Sequence, residues 1–163
     1  MIPREFSPEV IFFESCERHR QVEISRYRDC EKPGERFMAA LMLIPALPFI
    51  SLLALLVRLT SKGPGLFTQE RVGKNGKVYT MYKLRSMRCD AEDETGPVWS
   101  TPSDDRTTLI GKLLRKLHLD ELPQLLNIAK GEMSFVGPRP ERPEFVSVLE
   151  EQVPGYCERL RVR

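Results

Sequence analysis

The longest apolar run of the chain covers residues 37–57, which are 21 consecutive residues without a charge. As a helix this run would be roughly 32 Å long at ~1.5 Å per residue, about the thickness of the hydrocarbon core of a bilayer. Pro45 and Pro48 lie in its middle, where each removes a backbone donor and bends a helix. Lysines and arginines flank the run on both sides, and the positive-inside bias therefore favours a cytoplasmic position for both ends.

This pattern predicts a re-entrant membrane hairpin over residues 35–60, a helix that breaks at residues 46–48 and leaves the membrane by the face it entered. Two alternatives remain open, a single transmembrane helix with a tolerated kink and a wholly buried core helix. The remainder divides into an N-terminal extension at 1–34, with a short strand predicted around residues 10–13, and a domain at 61–163.

A β-hairpin is predicted directly after the apolar run. Leu66–Val72 and Val78–Leu84 are rich in residues typical of strands, and Asn75-Gly76 lies between them. Both of these turn residues tolerate positive φ, which makes the dipeptide a strong hairpin signal.

Helical patterns dominate the rest of the chain. Thr108 is expected to cap a helix whose apolar residues recur on one face, and this face fits either a membrane interface or a protein core; its members are Leu109, Ile110, Leu113, Leu114 and Leu117. A second helix is predicted to begin near residues 119–123 and to end at Gly131, and a last helix begins at Pro143. The predicted fold class is therefore α+β and mainly helical, with a β-hairpin and interfacial amphipathic helices.

The overall composition excludes no class of function, but the uneven distribution of charge along the chain favours some. The net charge of +2 dictates no partner, but residues 58–88 contain eight Lys or Arg and one acid. This basic block suits anionic lipid, the phosphates of a nucleotide, or nucleic acid. The acidic residues within 90–105 lack the spacing of a calcium loop, and a solvated loop is expected there.

The cysteines and histidines indicate neither a disulfide framework nor a zinc site. No C-x-x-C pair occurs among the four cysteines, and the two histidines are isolated from each other. This usage is typical of a reduced, cytoplasmic protein.

Asp120 and Glu121 are the strongest candidates for chemistry, because they open the second predicted helix. The simplest interpretation is structural, since acids in a first turn complement the helix dipole. The alternative is catalytic, since an ionised carboxylate is a usable nucleophile when a metal neutralises the electrophile. Arg115 is near enough in sequence to reach these carboxylates or a phosphate, although an ordinary surface arginine whose stem lies along the protein also explains it. Arg139, between two prolines, suits bidentate phosphate contact, although a proline-rich turn also explains it.

An ordered set of motifs resembles the bacterial sugar transferase family, the monotopic polyprenyl-phosphate phosphoglycosyl transferases. The similarity covers roughly residues 35–163, and the ordered set is more specific than any one motif. The motifs are Ser61-Lys-Gly-Pro64, Gln69-Glu-Arg-Val-Gly-Lys-Asn-Gly-Lys77, Tyr82-Lys-Leu-Arg-Ser-Met87, Leu119-Asp-Glu-Leu-Pro-Gln-Leu125, Lys130-Gly-Glu-Met-Ser-Phe-Val-Gly-Pro-Arg-Pro140 and Pro143-Glu-Phe-Val146.

The resemblance implies a membrane enzyme that moves a sugar-1-phosphate from a nucleotide diphosphate sugar, in most cases a UDP-sugar, to a polyprenyl phosphate. It assigns Asp120 as the nucleophile that forms a phosphosugar-aspartate intermediate and as the residue at the Mg²⁺, with Glu121 as its partner. It also implies four substrate-binding residues, which are Lys83, Arg85, Arg115 and Arg139.

The implied partners are the nucleotide sugar, polyprenyl phosphate and membrane lipids, with no nucleic acid. The implied location is the bacterial inner membrane with the catalytic domain in the cytoplasm, and the implied process is the initiation of polysaccharide or glycoconjugate synthesis. Family members are expected to continue beyond the position of residue 163, so that this domain is C-terminally short. The alternative function is a truncated, non-catalytic membrane-bound module that binds a nucleotide sugar or a partner.

Overall fold

The computed structural model of the chain describes residues 33–93, 96, 98, 104–153 and 155–161. The strand predicted around residues 10–13, with nearly all of the N-terminal extension, lies outside the described residues. The described part contains four α-helices, α1 (Pro33–Thr60), α2 (Leu109–Lys116), α3 (Leu125–Lys130) and α4 (Pro143–Gln152), and two strands, β1 (Leu66–Val72) and β2 (Val78–Leu84). Three short 3₁₀ helices cover Lys74–Gly76, Leu119–Gln124 and Tyr156–Arg161.

The apolar run forms one helix, α1, which continues through Pro45 and Pro48. The predicted interruption of helical structure at residues 46–48 is therefore wrong, because each proline removes a hydrogen bond without ending the helix. The interpretation as a wholly buried core helix is also wrong, since only 11% of the most apolar window of α1 is buried. By length and composition α1 is able to cross a membrane, and its exposed side chains are mostly large and apolar.

The β-hairpin is confirmed at the predicted residues. β1 and β2 pair antiparallel, from Leu66 opposite Leu84 to Val72 opposite Val78. Asn75 and Gly76 adopt φ of 56° and 76°, and the amide of Gly73 closes the turn by donating to the Lys77 carbonyl at 2.9 Å.

Helix α2 begins where the sequence predicts, but its apolar residues divide between two surroundings. The Thr108 hydroxyl accepts a hydrogen bond from the Gly111 amide at 3.0 Å and thereby caps the helix. Leu114 is buried and Ile110 packs beside it, whereas three leucines at four-residue spacing are exposed. These are Leu109, Leu113 and Leu117, and together they form the outer leucine stripe.

The Asp120-Glu121 pair lies in the 3₁₀ helix Leu119–Gln124, and the α-helix begins only at Leu125. The predicted helix start near residue 119 is therefore confirmed, although the first turns are 3₁₀ and not α-helical. Pro123 has no amide proton, and its ring would collide with the carbonyl four residues earlier, so the tighter 3₁₀ pattern precedes the α-helix. His118, at φ 54°, reverses the chain just before this segment, and Gly131, at φ 82°, ends α3 as predicted.

The main core joins α1, β2 and α2. Its buried members are Ile50 and Val57 from α1, Leu84 from β2, and Leu114 from α2. A Cβ on Gly65 would lie 2.2 Å from the backbone oxygen of Ala54, so only glycine allows the chain to pass this close to α1. The segment that leads into β1 is thereby held against the apolar helix.

A second buried cluster joins the hairpin to the C-terminal elements. It consists of Val72, Val146, Tyr156 and Leu160. Because Val72 ends β1 and Val146 lies on α4, this cluster anchors α4 and the last 3₁₀ helix against the tip of the hairpin.

The acidic segment at 90–105 is described only in part, and one of its acids is not solvated as predicted. Asp104 is buried and accepts hydrogen bonds from Arg106 at 2.8 Å and 2.6 Å. The Arg106 guanidinium holds the pKa of the Asp104 carboxyl at about 2. Elsewhere in this segment, Glu92 accepts two hydrogen bonds from Arg142, which ties the loop to the start of α4.

The Asn127 side chain binds the free edge of β2 and makes hydrogen bonds there of the kind that a third strand would make. Its side chain accepts from the Tyr82 amide at 3.2 Å and donates to the Thr80 carbonyl at 2.7 Å and to Glu132 at 2.7 Å. Asn127 itself is completely buried, while the groups it contacts are only partly buried, so its truncation removes all three hydrogen bonds from the edge of β2.

We expect Asn127→Ala to lower the free energy of unfolding by about 2–4 kcal/mol, because partly buried donors and acceptors lose their partners. Urea unfolding in detergent micelles measures this change. Gln152→Ala, at an exposed position near the end of α4, is the control and should cost less than about 0.5 kcal/mol. An equal, small effect of both substitutions would contradict the account of β2.

Candidate active site

One carboxylate oxygen organises the site. Glu121 Oε1 accepts a hydrogen bond from Arg139 Nη2 at 2.9 Å and lies 3.5 Å from Lys83 Nζ. Three separate elements supply these groups, which are the 3₁₀ helix Leu119–Gln124, strand β2, and the loop before α4. The structure therefore brings together three of the predicted site residues, Lys83, Glu121 and Arg139.

Asp120 is next to Glu121 in the sequence, but its carboxylate does not pair with Lys83 or Arg139. The residue is 8% exposed, and among the described residues its carboxylate has no hydrogen bond or ion pair. The charge of Asp120 raises the pKa of Lys83, so its carboxylate lies close enough to that ammonium to interact with it electrostatically. Its unpaired carboxylate is the one available for a ligand or for covalent chemistry.

Lys83 is held in a partly dehydrated position. Burial lowers its pKa, and the charge of Arg139 lowers it further, whereas Glu121 and Asp120 raise it. The ammonium side chain is 16% exposed, and that of Arg139 is 68% exposed. The two cations therefore differ in access, with Lys83 at the inner side of the cluster and Arg139 at the open side.

Arg85 and Arg115 make hydrogen bonds to other segments of the chain. Arg85 is buried and donates to the carbonyls of Ser61 and Lys62 at 2.9 Å and 2.6 Å, so it fixes the chain that leaves α1. Arg115 donates to the Ser86 hydroxyl at 2.9 Å and to the Thr107 hydroxyl at 3.5 Å. Neither arginine contacts the Asp120-Glu121 pair in the described part of the chain.

A small cavity adjoins the Arg139 loop. Its volume is about 30 Å³, and it lies between the hairpin, the loop and the last 3₁₀ helix, with Tyr79, Glu132, Arg139 and Leu160 in its lining. The Tyr79 hydroxyl is buried there without a partner, and burial raises the pKa of that tyrosine. This space suits water rather than a nucleotide sugar. A large substrate must therefore approach from the open side, where Arg139 is exposed.

Comparison with known proteins identifies the family. The family model described as bacterial sugar transferase matches residues 28–163. The chain belongs to the bacterial sugar transferase family. The family predicted from the ordered motifs is thus confirmed.

Three relatives of this sugar transferase carry informative names. A Bacillus subtilis protein, named provisionally as an undecaprenyl-phosphate N-acetylgalactosaminyl 1-phosphate transferase, is 44% identical over 98% of this chain and 86% of its own length. An Aeromonas hydrophila UDP-N-acetylgalactosamine-undecaprenyl-phosphate N-acetylgalactosaminephosphotransferase is 42% identical over 81% of the chain and 31% of its own length. A Caulobacter vibrioides UDP-glucose:undecaprenyl-phosphate glucose-1-phosphate transferase is 41% identical over 77% and 46%.

These names agree with the predicted enzyme class, a phosphoglycosyl transferase that uses a lipid phosphate. The chain spans most of the Bacillus relative but less than half of the other two. The named sugars differ among the relatives, which are named for N-acetylgalactosamine or for glucose.

The site residues of this sugar transferase could hold a Mg²⁺ ion only together with phosphate oxygens of a substrate. The described residues contain no group of three or more His, Cys, Asp or Glu that could hold a metal. Glu121 is already paired, so only the Asp120 carboxylate of the pair would be free to hold a metal. Mg²⁺ commonly binds in this manner, through one or two carboxylates, substrate phosphates and water.

Sequence reasoning missed the residues that hold the site in place. Asn127 fixes β2, and Arg71 and Arg159 contact the loop that carries Arg139. Arg71 lies within one of the motifs that carry the family resemblance. Its position on a strand does not predict that it donates a hydrogen bond to a carbonyl 69 residues away. Contacts between distant segments leave no local pattern, and only the folded chain reveals them.

We expect Glu121→Gln to lower the pKa of Lys83 further, because the substitution removes a negative charge that raises it. NMR titration of ¹³C-methylated lysines in micelles measures the change, with Lys83→Arg used to assign the signal. Glu70→Gln, at an exposed position on β1, is the charge-matched control and should leave this pKa in place. A Lys83 pKa that stays constant or rises in Glu121→Gln would contradict the shared ion cluster.

Proposed function

We propose that this sugar transferase moves a sugar-1-phosphate from a nucleotide diphosphate sugar, in the first instance a UDP-sugar, to polyprenyl phosphate through a phosphosugar-aspartate intermediate. The observation that carries the proposal is the unpaired carboxylate of Asp120 beside a neighbour, Glu121, that Lys83 and Arg139 already neutralise. The names of the relatives support the same reaction for this chain, because they act on undecaprenyl phosphate and, in two cases, on a UDP-sugar.

Arg139 is the group best suited to receive the diphosphate. Its side chain is exposed, and its contact with Glu121 uses one of the five N–H donors that a guanidinium carries. The remaining donors are able to bind phosphate oxygens in the bidentate manner typical of arginine. Lys83 adds positive charge from the inner side, which lowers the repulsion between a diphosphate and the two carboxylates.

The transfer then takes place in two balanced steps. An oxygen of Asp120 attacks the phosphorus that bears the sugar, a P–O bond to the carboxylate forms, and the bridging P–O bond breaks to release the nucleoside monophosphate. Next, a phosphate oxygen of the polyprenyl acceptor attacks the same phosphorus, and the bond to Asp120 breaks to restore the carboxylate. Two substrates of unlike solubility thereby use one site in turn.

Mg²⁺ belongs to this proposal as a bound cofactor of the sugar transferase. Asp120 and the diphosphate oxygens would hold it, and it would supply neutralising charge at the phosphorus that is attacked.

The contacts of α1 support a re-entrant course in the membrane. At its start, Ser134 donates to Glu35 at 2.5 Å and Arg36 donates to the Ala129 carbonyl at 3.3 Å. At its end, Arg85 donates to Ser61 and Lys62. A straight helix from residue 36 to 61 would be about 38 Å long, enough to separate its ends across a bilayer. Both ends, and Ile50 near the middle, contact the unit that carries the site, and a bend at Pro45 and Pro48 without a break in the helix would return both ends to one membrane face.

The exposed apolar surfaces support a position at the cytoplasmic face of the bacterial inner membrane. The outer leucine stripe of α2 suits the interface, and the basic block at 58–88 suits anionic head groups there. A polyprenyl phosphate presents its phosphate at this depth, which places it within reach of Asp120. The same apolar surfaces argue against nucleic acid as the partner of the basic block.

We expect Asp120→Asn to abolish transfer of labelled sugar phosphate from a UDP-sugar to undecaprenyl phosphate while the fold remains intact. The amide keeps the size of the side chain but is no nucleophile. Extraction and counting of the lipid-linked product measure transfer, and circular dichroism checks the fold.

Ser147→Ala, on the exposed side of α4, is the control and should transfer like the wild type. Transfer by Asp120→Asn at the wild-type rate would contradict the assignment of the nucleophile. A wild-type chain that binds the UDP-sugar without transfer would favour the non-catalytic binding module.

We also expect both ends of α1 to be accessible from the cytoplasm. Single cysteines at Gly34, where no neighbour lies within 4 Å, and at exposed Arg58 are introduced after Cys16, Cys30, Cys89 and Cys157 are changed to serine. A membrane-impermeant maleimide should label both positions in inverted vesicles and neither in intact spheroplasts. Labelling of the two positions from opposite sides would show a transmembrane helix.

A further inference from the structure

The loop that carries Arg139 is held through its backbone. Three successive carbonyls, those of Arg139, Pro140 and Glu141, each accept one hydrogen bond, from Arg159 Nη2 at 2.9 Å, Arg71 Nη1 at 3.0 Å and the Val72 amide at 2.9 Å. Two of the three donors are guanidinium groups, and hydrogen bonds from a charged donor are roughly twice as strong as neutral ones.

The side chain of Glu141 connects the two guanidinium groups. Its Oε2 lies 3.8 Å from Arg71 Nη1, and its Oε1 lies 4.0 Å from Arg159 Nη2. The carboxylate is 23% exposed, and the Arg71 side chain is 16% exposed, so the bridge is only partly open to solvent. Arg71 has a further fixed point, since its Nη2 donates to Gln69 at 2.6 Å. We name Arg71, Glu141 and Arg159 the carbonyl clamp.

Arg139 depends on this clamp more than an ordinary loop residue would. Pro138 and Pro140 flank it, and a proline has no amide with which to hold the backbone. The surrounding structure therefore fixes the peptide units after Arg139 mainly through hydrogen bonds to their carbonyl groups. The guanidinium of Arg139 is mostly exposed, so its direction is set at the backbone and by the contact with Glu121.

We propose that Arg71 and Arg159 are positioning residues, which hold the backbone on the C-terminal side of Arg139 so that its guanidinium meets the diphosphate beside Asp120. This inference rests on the proposed function. Both arginines act through Arg139 and touch no reacting atom.

Arg159 provides the cleaner test, because it is the more exposed of the two and lies in the last 3₁₀ helix. Arg71 lies on β1 and its side chain is only 16% exposed, so a substitution there would lower stability as well as disturb the loop. A misplacement of about 1 Å in a group that orients substrate can cost 10²-fold in rate. We expect Arg159→Gln to lower kcat/KM by about 10- to 100-fold and Arg159→Lys, which keeps one charged donor, to retain most of the activity.

The experiment is a double-mutant cycle on the whole chain in micelles, with Arg159→Gln, Arg139→Ala and the combination. Transfer to undecaprenyl phosphate and the Kd of UDP are both measured. If Arg159 acts through Arg139, the effect of Arg159→Gln on both quantities should fall below about twofold once Arg139 is alanine. Ser147→Ala is the matched control, since it also removes a side-chain hydrogen bond to a backbone carbonyl, at 3.0 Å, but outside the loop.

The outcomes separate this inference from the proposed function. Effects of equal size in both backgrounds, or a wild-type-like Arg159→Gln, would overturn the positioning role while wild-type transfer upheld the reaction. A wild-type chain that neither transfers sugar phosphate nor binds UDP would overturn the proposed function and the positioning role together.

Discussion

The charge distribution of this site depends on one carboxylate that pairs with two cations. Lys83 and Arg139 converge on one oxygen of Glu121, and the adjacent Asp120 remains unpaired close to the same positive charge. Two neighbouring carboxylates would otherwise repel an approaching diphosphate and each other. With Glu121 neutralised, the cluster carries positive charge on its open side, where Arg139 is exposed, and the carboxylate of Asp120 stays unpaired, as the proposed reaction requires.

Strand β2 links this electrostatic arrangement to the apolar helix. Leu84 packs against α1 in the main core, and Arg85 holds the chain that leaves α1, while Lys83 lies beside Glu121. Three successive residues of one short segment therefore fix the membrane-facing helix and the site relative to each other. Asn127 secures the other edge of the strand and so keeps it in place. The depth of the helix in a bilayer would in this way determine the depth of Asp120.

Local signals in the sequence predicted much of this fold and part of the site. Asn75-Gly76 fixed the hairpin because positive φ is a property of those two residues, and Thr108 marked a helix start for a similarly local reason. Pro45 and Pro48 led to the wrong prediction of a helix break, since a proline weakens a helix without necessarily ending it. Arg85 and Arg115 became substrate-binding candidates from a motif and a spacing, but their partners lie in segments 24 and 29 residues away, and such contacts depend on the whole fold.

The central claim is that Asp120 carries the sugar phosphate between the two substrates. Intact-mass analysis after incubation with a UDP-sugar and Mg²⁺, without the lipid acceptor, tests it most directly. We expect an added mass of one sugar phosphate, located on a peptide that contains Asp120 and removed when undecaprenyl phosphate is supplied. Lipid-linked product formed at the normal rate with no such adduct at any time, or an adduct on a different residue, would contradict it.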